Sequence, residues 1–294
     1  MLADAKSLPY SRRVRDADVD LYTYERLYKE FGPFSEGPPD QFPGRVEREL
    51  VGDHYKRMLT EMAKIAAYQW QHHLERSALK GFLLYGAVGV GKTTMAKRLT
   101  YELCRVMGDT GPSLDRRNEV VMMLVDGADI ARGRYGDTEE QLRDLFEYAR
   151  NGQAGAHHRH EDDPVRRTVV LFDDVESLFL TRGSVGAKEW HFSQNSVFFH
   201  NIDDLDTAHT VVVLTTNRID LLDEAIVDRF MPYEFGVPSV EVMEEVARSK
   251  ARLQAMTKED VMPVLQRIRA GEVRSIREVE RLVMRAFVEK VVSA

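Results

Sequence analysis

The chain of 294 residues holds a single cysteine, Cys104, so it can form no intramolecular disulfide, and a reducing cytoplasmic setting is expected. It holds no run of 18 apolar residues, which excludes a membrane-spanning helix. Its opening stretch, MLADAKSLPYSRRVRDADVD, has no apolar segment of the kind a secretory signal requires. Basic side chains are fewer than acidic ones, 41 against 48, for a net charge of -7. That balance, without zinc-finger spacing, a helix-turn-helix signature or a long basic stripe, makes nucleic acid an unlikely partner. What remains is a globular composition, 43% hydrophobic and 30% charged with mixed signs, which excludes wholesale disorder and collagen. The length suits about two domains.

Residues 1–44 read as an irregular arm: FGPFSEGPPDQFPG concentrates prolines and glycines, with aromatics interleaved around it. From about Arg45 to Leu79 apolar residues recur at helical spacing, with Gly52-Asp53 at a cap. Then short buried-strand patterns (GFLLYG, EVVMMLVDG, TVVLFDD, TVVVLTTN) alternate with helical ones (MAKRLTYELCRVM, TEEQLRDLFEYARN). Alternation of that kind predicts an α/β fold, a mostly parallel sheet with helices on both faces. Residues 45–237 form this domain and 238–294 read as helix only, a small all-helical unit. The stretch NGQAGAHHRHEDDPVRR is a surface loop; its cluster from His157 to Asp163 reads as solvated rather than as a metal site.

Residues 86–93, GAVGVGKT, fit the phosphate-loop pattern G-x-x-x-x-G-K-[ST], with a strand before and a helix after. Glycines let successive backbone N–H groups of Gly86, Ala87, Val88, Gly89, Val90 and Gly91 curl toward one anion, and the helix N-terminus adds its positive end. Lys92 is then expected to reach the β- and γ-phosphates of ATP. Thr93 is expected to ligate Mg²⁺, with Thr94 beside it. The strand ending in VVLFDD is the second site, supplying a carboxylate for the metal, Asp173. Asp174 follows, where a carboxylate would polarise the attacking water. It is one methylene shorter than the glutamate many such enzymes use, which predicts slow hydrolysis. Glu176, two residues on, could substitute for it but is expected to begin the next helix and point elsewhere.

The order of these motifs resembles the AAA+ ATPases, P-loop NTPases, and within them the AAA clade of protein remodellers. LLYGAVGVGKTTMAKRL is similar to that clade's nucleotide loop, GADIARGRYGDTEEQLRDLFEYAR to its second strand and pore loop, VVLFDDVESLFLTRG to its Mg²⁺ strand, and VVVLTTNRIDLLDEAIVDRF to its sensor and arginine-finger stretch. DDVESL followed by EAIVDRF most resembles the pachytene-checkpoint type, remodellers of HORMA-domain proteins. The resemblance implies that Asn217 orients the lytic water and that Arg229 is a finger donated to a neighbouring subunit. A surface salt bridge from Arg229 to Asp228 or Asp223 is the plain alternative. It implies that Arg277 senses nucleotide from a helical lid, with Arg274 and Arg281 as rivals. Gly52 would belong to the stretch that wraps the adenine. Arg134 and Tyr135 fall in the pore loop, where the clade's aromatic sits one place earlier.

An ATP-hydrolysing ring, most simply a hexamer acting on a protein substrate or adaptor through its pore loops, is therefore expected. The alternatives are a slow, nucleotide-gated assembly module, which Asp174 favours, and a DNA-associated regulator, which the charge balance disfavours.

Overall fold

The computed structural model describes residues 20–32, 34–35, 45–46, 50–77, 79–108, 120–126, 137–151, 166–178 and 189–293. Arg134, Tyr135 and the histidine-bearing loop 157–163 lie outside them. In chain order the elements are β1 (Asp20–Tyr22), α1 (Tyr24–Phe31), β2 (Phe34–Ser35), β3 (Arg45–Val46), α2 (Asp53–Gln71), β4 (Gly81–Gly86), α3 (Lys92–Val106), β5 (Val120–Asp126) and α4 (Asp137–Asn151). They continue as β6 (Arg167–Asp173), α5 (Glu189–Asp203), β7 (Thr210–Thr216), α6 (Glu224–Val227), β8 (Met231–Phe235), α7 (Val240–Leu253), α8 (Lys258–Arg269) and α9 (Ile276–Ser293).

Six strands form one sheet in the order β1-β5-β6-β7-β4-β8. β5, β6, β7, β4 and β8 run parallel, and β1 closes one edge antiparallel to β5. The expected α/β architecture is thus present. The four expected strands are its centre, because their β-branched apolar runs suit strands buried on both faces. Side chains alternate across the pleat. Phe82, Leu84, Val169, Leu171, Val211 and Val213 pack on one face with Leu27 of α1, Met62 and Trp70 of α2, and Leu99 of α3. Leu83, Val170, Phe172, Val212 and Leu214 pack on the other with Leu142 and Phe146 of α4 and Phe198 and Ile202 of α5. Phe172 meets Phe198 edge-on at 5.5 Å between ring centres. The helices after β8 hold a separate cluster, with Met243, Val261, Leu265, Ile268, Val279 and Val283 all buried.

Three expectations are corrected. Part of the arm read as irregular is ordered: β1 joins the sheet, and α1 buries Leu27 and Phe31 against α3. Tyr24 there stacks on Tyr101 of α3, their planes 2° apart. The helix expected over 45–79 is shorter. Residues 45–46 pair as a strand with 34–35, and Gly52, at φ 90°, admits the chain to α2 only at Asp53. Beyond Gln71 the chain turns through His73, at φ 52°. Glu176 sits in a 3₁₀ turn, Val175–Ser177, not at the start of an α-helix. Among the described residues no helix is long and apolar enough to cross a membrane.

Candidate nucleotide site

β4 ends at Gly86, and the loop 87–91 delivers the chain to the first turn of α3. Gly86, Gly89 and Gly91 of this loop all have positive φ, and at the first two a side chain would also clash. Gly86 has φ 141°, and a Cβ there would meet the Phe235 carbonyl oxygen of β8 at 2.1 Å. Gly89 has φ 76°, and a Cβ there would meet Arg277 Cβ at 2.9 Å. The loop therefore lies tight between the sheet edge and α9, and the Arg277 N–H donates to the Gly89 carbonyl at 3.1 Å.

Lys92, the first residue of α3, is buried and donates through Nζ to Gly86 O at 2.9 Å, Ala87 O at 2.8 Å and Asn217 Oδ1 at 2.8 Å. Burial pulls its pKa down, while the charges of Asp174, Glu176 and Asp173 oppose that shift. Thr93 Oγ1 donates to Asp173 at 2.9 and 3.1 Å from its two carboxylate oxygens, and Thr215 Oγ1 also donates to Asp173. The end of α3 that starts the helix and the ends of β6 and β7 thus converge at the carboxyl edge of the sheet, where α/β sheets bind ligands.

Asn217, just beyond β7, is the hub of this edge. Its Oδ1 accepts from Lys92, and its Nδ2 donates to Asp174 Oδ1 at 2.9 Å and to Glu176 Oε1 at 3.1 Å. Thr216 Oγ1 donates to Glu176 Oε2 at 2.8 Å. Glu176 therefore points back into the site, contrary to the expectation that it points away. The reason is local: Asp174 takes the left-handed conformation at φ 53° and ψ 52°, which reverses the chain after β6. Partial desolvation at the cleft raises the pKa of Asp174, and the adjacent charges of Asp173 and Glu176 raise it further; Asn217 and Lys92 act against them.

Val88, Gly89, Gly91, Lys92, Thr93, Thr94, Asp173, Asp174, Asn217 and Arg277 line one cleft of ≈ 200 Å³. Of the three arginines weighed for the lid, Arg277 alone lines it. A second cavity of ≈ 480 Å³ adjoins it through Gly91 and Thr94 and continues between Leu50, Val51 and Tyr55 on one side and Val242, Val246 and Leu253 of α7 on the other. Gly52 abuts this cavity's wall: a Cβ there would lie 3.0 Å from Val242 Cγ2. Val90 is buried beneath the loop. The sequence did not single out Thr215, the α7 residues, or Glu280, which lines both cavities. The polar pair Thr215-Thr216 at the end of an otherwise apolar strand was the one available signal.

Arg229 lies elsewhere. It precedes β8 at Met231, whose register partner is Phe82, whereas the phosphate loop leaves β4 at Gly86 opposite Phe235. About 13 Å of parallel strand separates the two levels. Its salt-bridge partner is neither Asp228 nor Asp223 but Asp203 at the end of α5.

A sequence profile of the ATPase family associated with various cellular activities (AAA) matches residues 82–236, just over half of the chain. The chain belongs to the AAA ATPase family. Similar relatives include a Corynebacterium glutamicum protein described as an AAA ATPase forming ring-shaped complexes, 33% identical over 148 residues. Another is a proteasome-associated ATPase of Jonesia denitrificans, 34% identical over 152 residues. These matches take in 50% and 51% of this chain but only 25% and 26% of the relatives. Among solved structures, a chain of the Escherichia coli MS115-1 HORMA:CdnC:Trip13 complex superposes with a TM-score of 0.55 over 74% of each chain, at 18% identity, a likeness of fold.

Proposed function

We propose that the chain is an ATP-hydrolysing AAA protein that assembles into a ring, most simply a hexamer, and uses the cycle to remodel a protein partner. The observation that carries this reading is the division of the site. Lys92, Thr93, Asp173, Asp174, Asn217 and Arg277 gather at one end of the sheet, while Arg229 stands at the opposite end. A finger so placed serves only another copy's cleft.

In this reading the adenosine occupies the larger cavity under Leu50, Val51 and the α7 residues, with Gly52 beside its wall at Val242. The triphosphate runs along residues 86–91, and a phosphate oxygen replaces one of the three acceptors that Lys92 now serves. Thr93 and Asp173 fit Mg²⁺, since a hydroxyl and a carboxylate are hard oxygen donors already held within hydrogen-bond reach of each other. Bound there, Mg²⁺ would neutralise charge building on the phosphate oxygens. Asp174 accepts the proton of the attacking water. Asn217 holds that carboxylate through Nδ2 and fixes Lys92 through Oδ1. Arg277 rests over the loop from α9 and couples the helical lid, residues 238–294, to the phosphates. Arg229 of the neighbour completes the charge stabilisation, a contribution of about 10³–10⁵ in rate for fingers of GTPases. Arg134 and Tyr135 are assigned to gripping the partner protein.

The ring-forming description of the corynebacterial relative and the protein complex containing the structural neighbour support assembly and a protein partner. A nucleotide-gated module of low turnover is the second reading, favoured by the short side chain at Asp174. The deciding measurement is specific ATPase activity against protein concentration. Activity that climbs with concentration, is lost in Arg229→Ala while ATP still binds, and is lost with binding in Lys92→Ala supports the ring enzyme. Arg229→Ala with full turnover would sink it.

A further inference from the structure

The guanidinium of Arg229 is held on three sides. Its Nε donates to Asp203 Oδ1 at 2.8 Å and its Nη2 to Asp203 Oδ2 at 3.0 Å, a two-point fork. Its Nη1 donates to the Ala225 carbonyl at 2.8 Å, one turn back along α6. The ring of Phe199 lies under its plane, 4.8 Å from Cζ to the ring centre. A guanidinium has five N–H bonds. Among the described residues three are used, which leaves one on Nη1 and one on Nη2. Two N–H bonds on one planar group are what a pair of phosphate oxygens accepts.

The anchor itself is tied down. Lys80 is buried, and its Nζ donates to the Asp203 carbonyl oxygen at 3.1 Å. Lys80 directly precedes β4, whose other end opens into the phosphate loop. One strand therefore carries the receiving half of a site at one end and the mount of the donating half at the other. The Arg229 guanidinium holds the Asp203 carboxyl below its ordinary pKa, so the anchor is ionised at neutral pH.

We propose that Asp203 is a positioning residue for the finger: with Phe199 and the Ala225 carbonyl it presents Arg229, already oriented, to the nucleotide of the adjoining copy. This inference rests on the reading of Arg229 as a finger acting in trans. The fork does not sequester the guanidinium, because Arg229 keeps 30% of its side chain exposed and Asp203 keeps 53%. Without the fork, a long side chain searches rotamers at each turnover, and a displacement of about 1 Å costs on the order of a hundredfold in rate.

The experiment mixes two inactive full-length chains. Lys92→Ala supplies a finger and no working cleft; Arg229→Ala supplies a cleft and no finger. Mixed assemblies are expected to regain turnover at interfaces where the first serves the second. Asp203→Asn is then added to the Lys92→Ala chain. Recovered kcat is expected to fall about ten- to a hundredfold with little change in KM, and Asp203→Glu, which keeps the carboxylate, is expected to retain more. The fall must be larger when Asp203→Asn is carried by the finger-donating chain than by the receiving one. Equal falls in both positions, or no fall, would overturn the inference. Failure of the two parent chains to regain any turnover when mixed in an assembled ring would instead overturn the finger reading beneath it. Thermal melting and size measurements on each variant confirm that the assemblies compared are folded and of one size.

Discussion

The backbone N–H of Arg277 donates to the carbonyl oxygen of Gly89 at 3.1 Å, so the last helix rests directly on the phosphate loop. Gly89 permits this by having no Cβ: one built there would stand 2.9 Å from Arg277 Cβ, on a backbone at φ 76°. Gly89→Ala is therefore expected to push α9 off the loop and strain the loop itself, with a non-glycine residue at that φ costing about 1–3 kcal/mol. Carried by the nucleotide-bound loop, that strain should lower ATP affinity about five- to a hundredfold, at 1.4 kcal/mol per decade. Titration with a fluorescent ATP analogue checks this. Gly108→Ala is the control, since Gly108 has φ 79° but nothing within 4 Å of its Cβ. Equal losses for both would mean that the contact with α9 is irrelevant to binding.

Leu27 is fully buried between α1 and the rest of the first core, although its segment carries an unpromising sequence. Leu27→Ala should destabilise the domain by about 2–5 kcal/mol, the range for a buried leucine leaving a cavity. Lys29→Ala, on the exposed side of the same helix and paired across one turn with Glu25, should cost no more than about 0.5 kcal/mol. Chemical denaturation of the two variants measures the difference. Equal stability would show that α1 is not part of the cooperative unit.

The parts that were legible in the sequence share a physical cause, and so do those that were not. Val169–Phe172 and Val211–Leu214 announce strands because β-branched apolar runs have nowhere to go but between two helical layers. The phosphate loop announces itself through glycines whose φ values no other residue takes easily. Asp173 followed as the carboxylate at a strand end, whereas Asn217 rested on the resemblance to the AAA+ family. By contrast, β8 is MPYEF, short and carrying proline and glutamate, because it is an edge strand whose outer side needs no ladder. Tyr24, Leu27, Tyr28 and Phe31 do have helical spacing, but the proline-rich stretch after them masked it. The direction of Glu176 depends on a left-handed residue at Asp174, where aspartate is tolerated but not demanded. The Asp203–Arg229 fork joins residues 26 positions apart across two helices, and no local pattern encodes it.

Asp174 is exposed at the lip of the cleft and held at 2.9 Å by Asn217 Nδ2. On the proposed reading of Asp174 as the base, a side chain one methylene shorter than glutamate would leave the attacking water farther from it. Asp174→Glu is expected to raise kcat by about ten- to a hundredfold, the scale of a misplacement of about 1 Å, with ATP affinity little changed. Asp174→Asn should bind ATP and turn over below detection. Single-turnover hydrolysis separates these steps from product release. If Asp174→Glu were slower than the natural chain, the left-handed backbone at 174 would already place the shorter side chain correctly.

Lys80 offers a test through pH. Burial lowers its pKa from 10.5; the charges of Asp203 and Asp204 oppose that shift, and those of Arg76 and Arg229 add to it. Below the lowered value, folding holds a buried cation that the unfolded chain keeps in water, and stability carries that penalty in full. Between the lowered value and 10.5 the unfolded chain binds the additional proton, so stability gains as pH rises. Above both values the penalty is gone. Lys80→Met carries no such group and should lack this gain. The advantage in Tm of Lys80→Met over the natural chain, measured in steps from pH 7 upward, should therefore shrink as pH approaches 10.5. The difference between the two chains cancels the other lysines and tyrosines that titrate in the same range. A constant difference would mean that Lys80 is as well solvated in the fold as in the open chain. Its hydrogen bond to Asp203 would then be an ordinary surface contact.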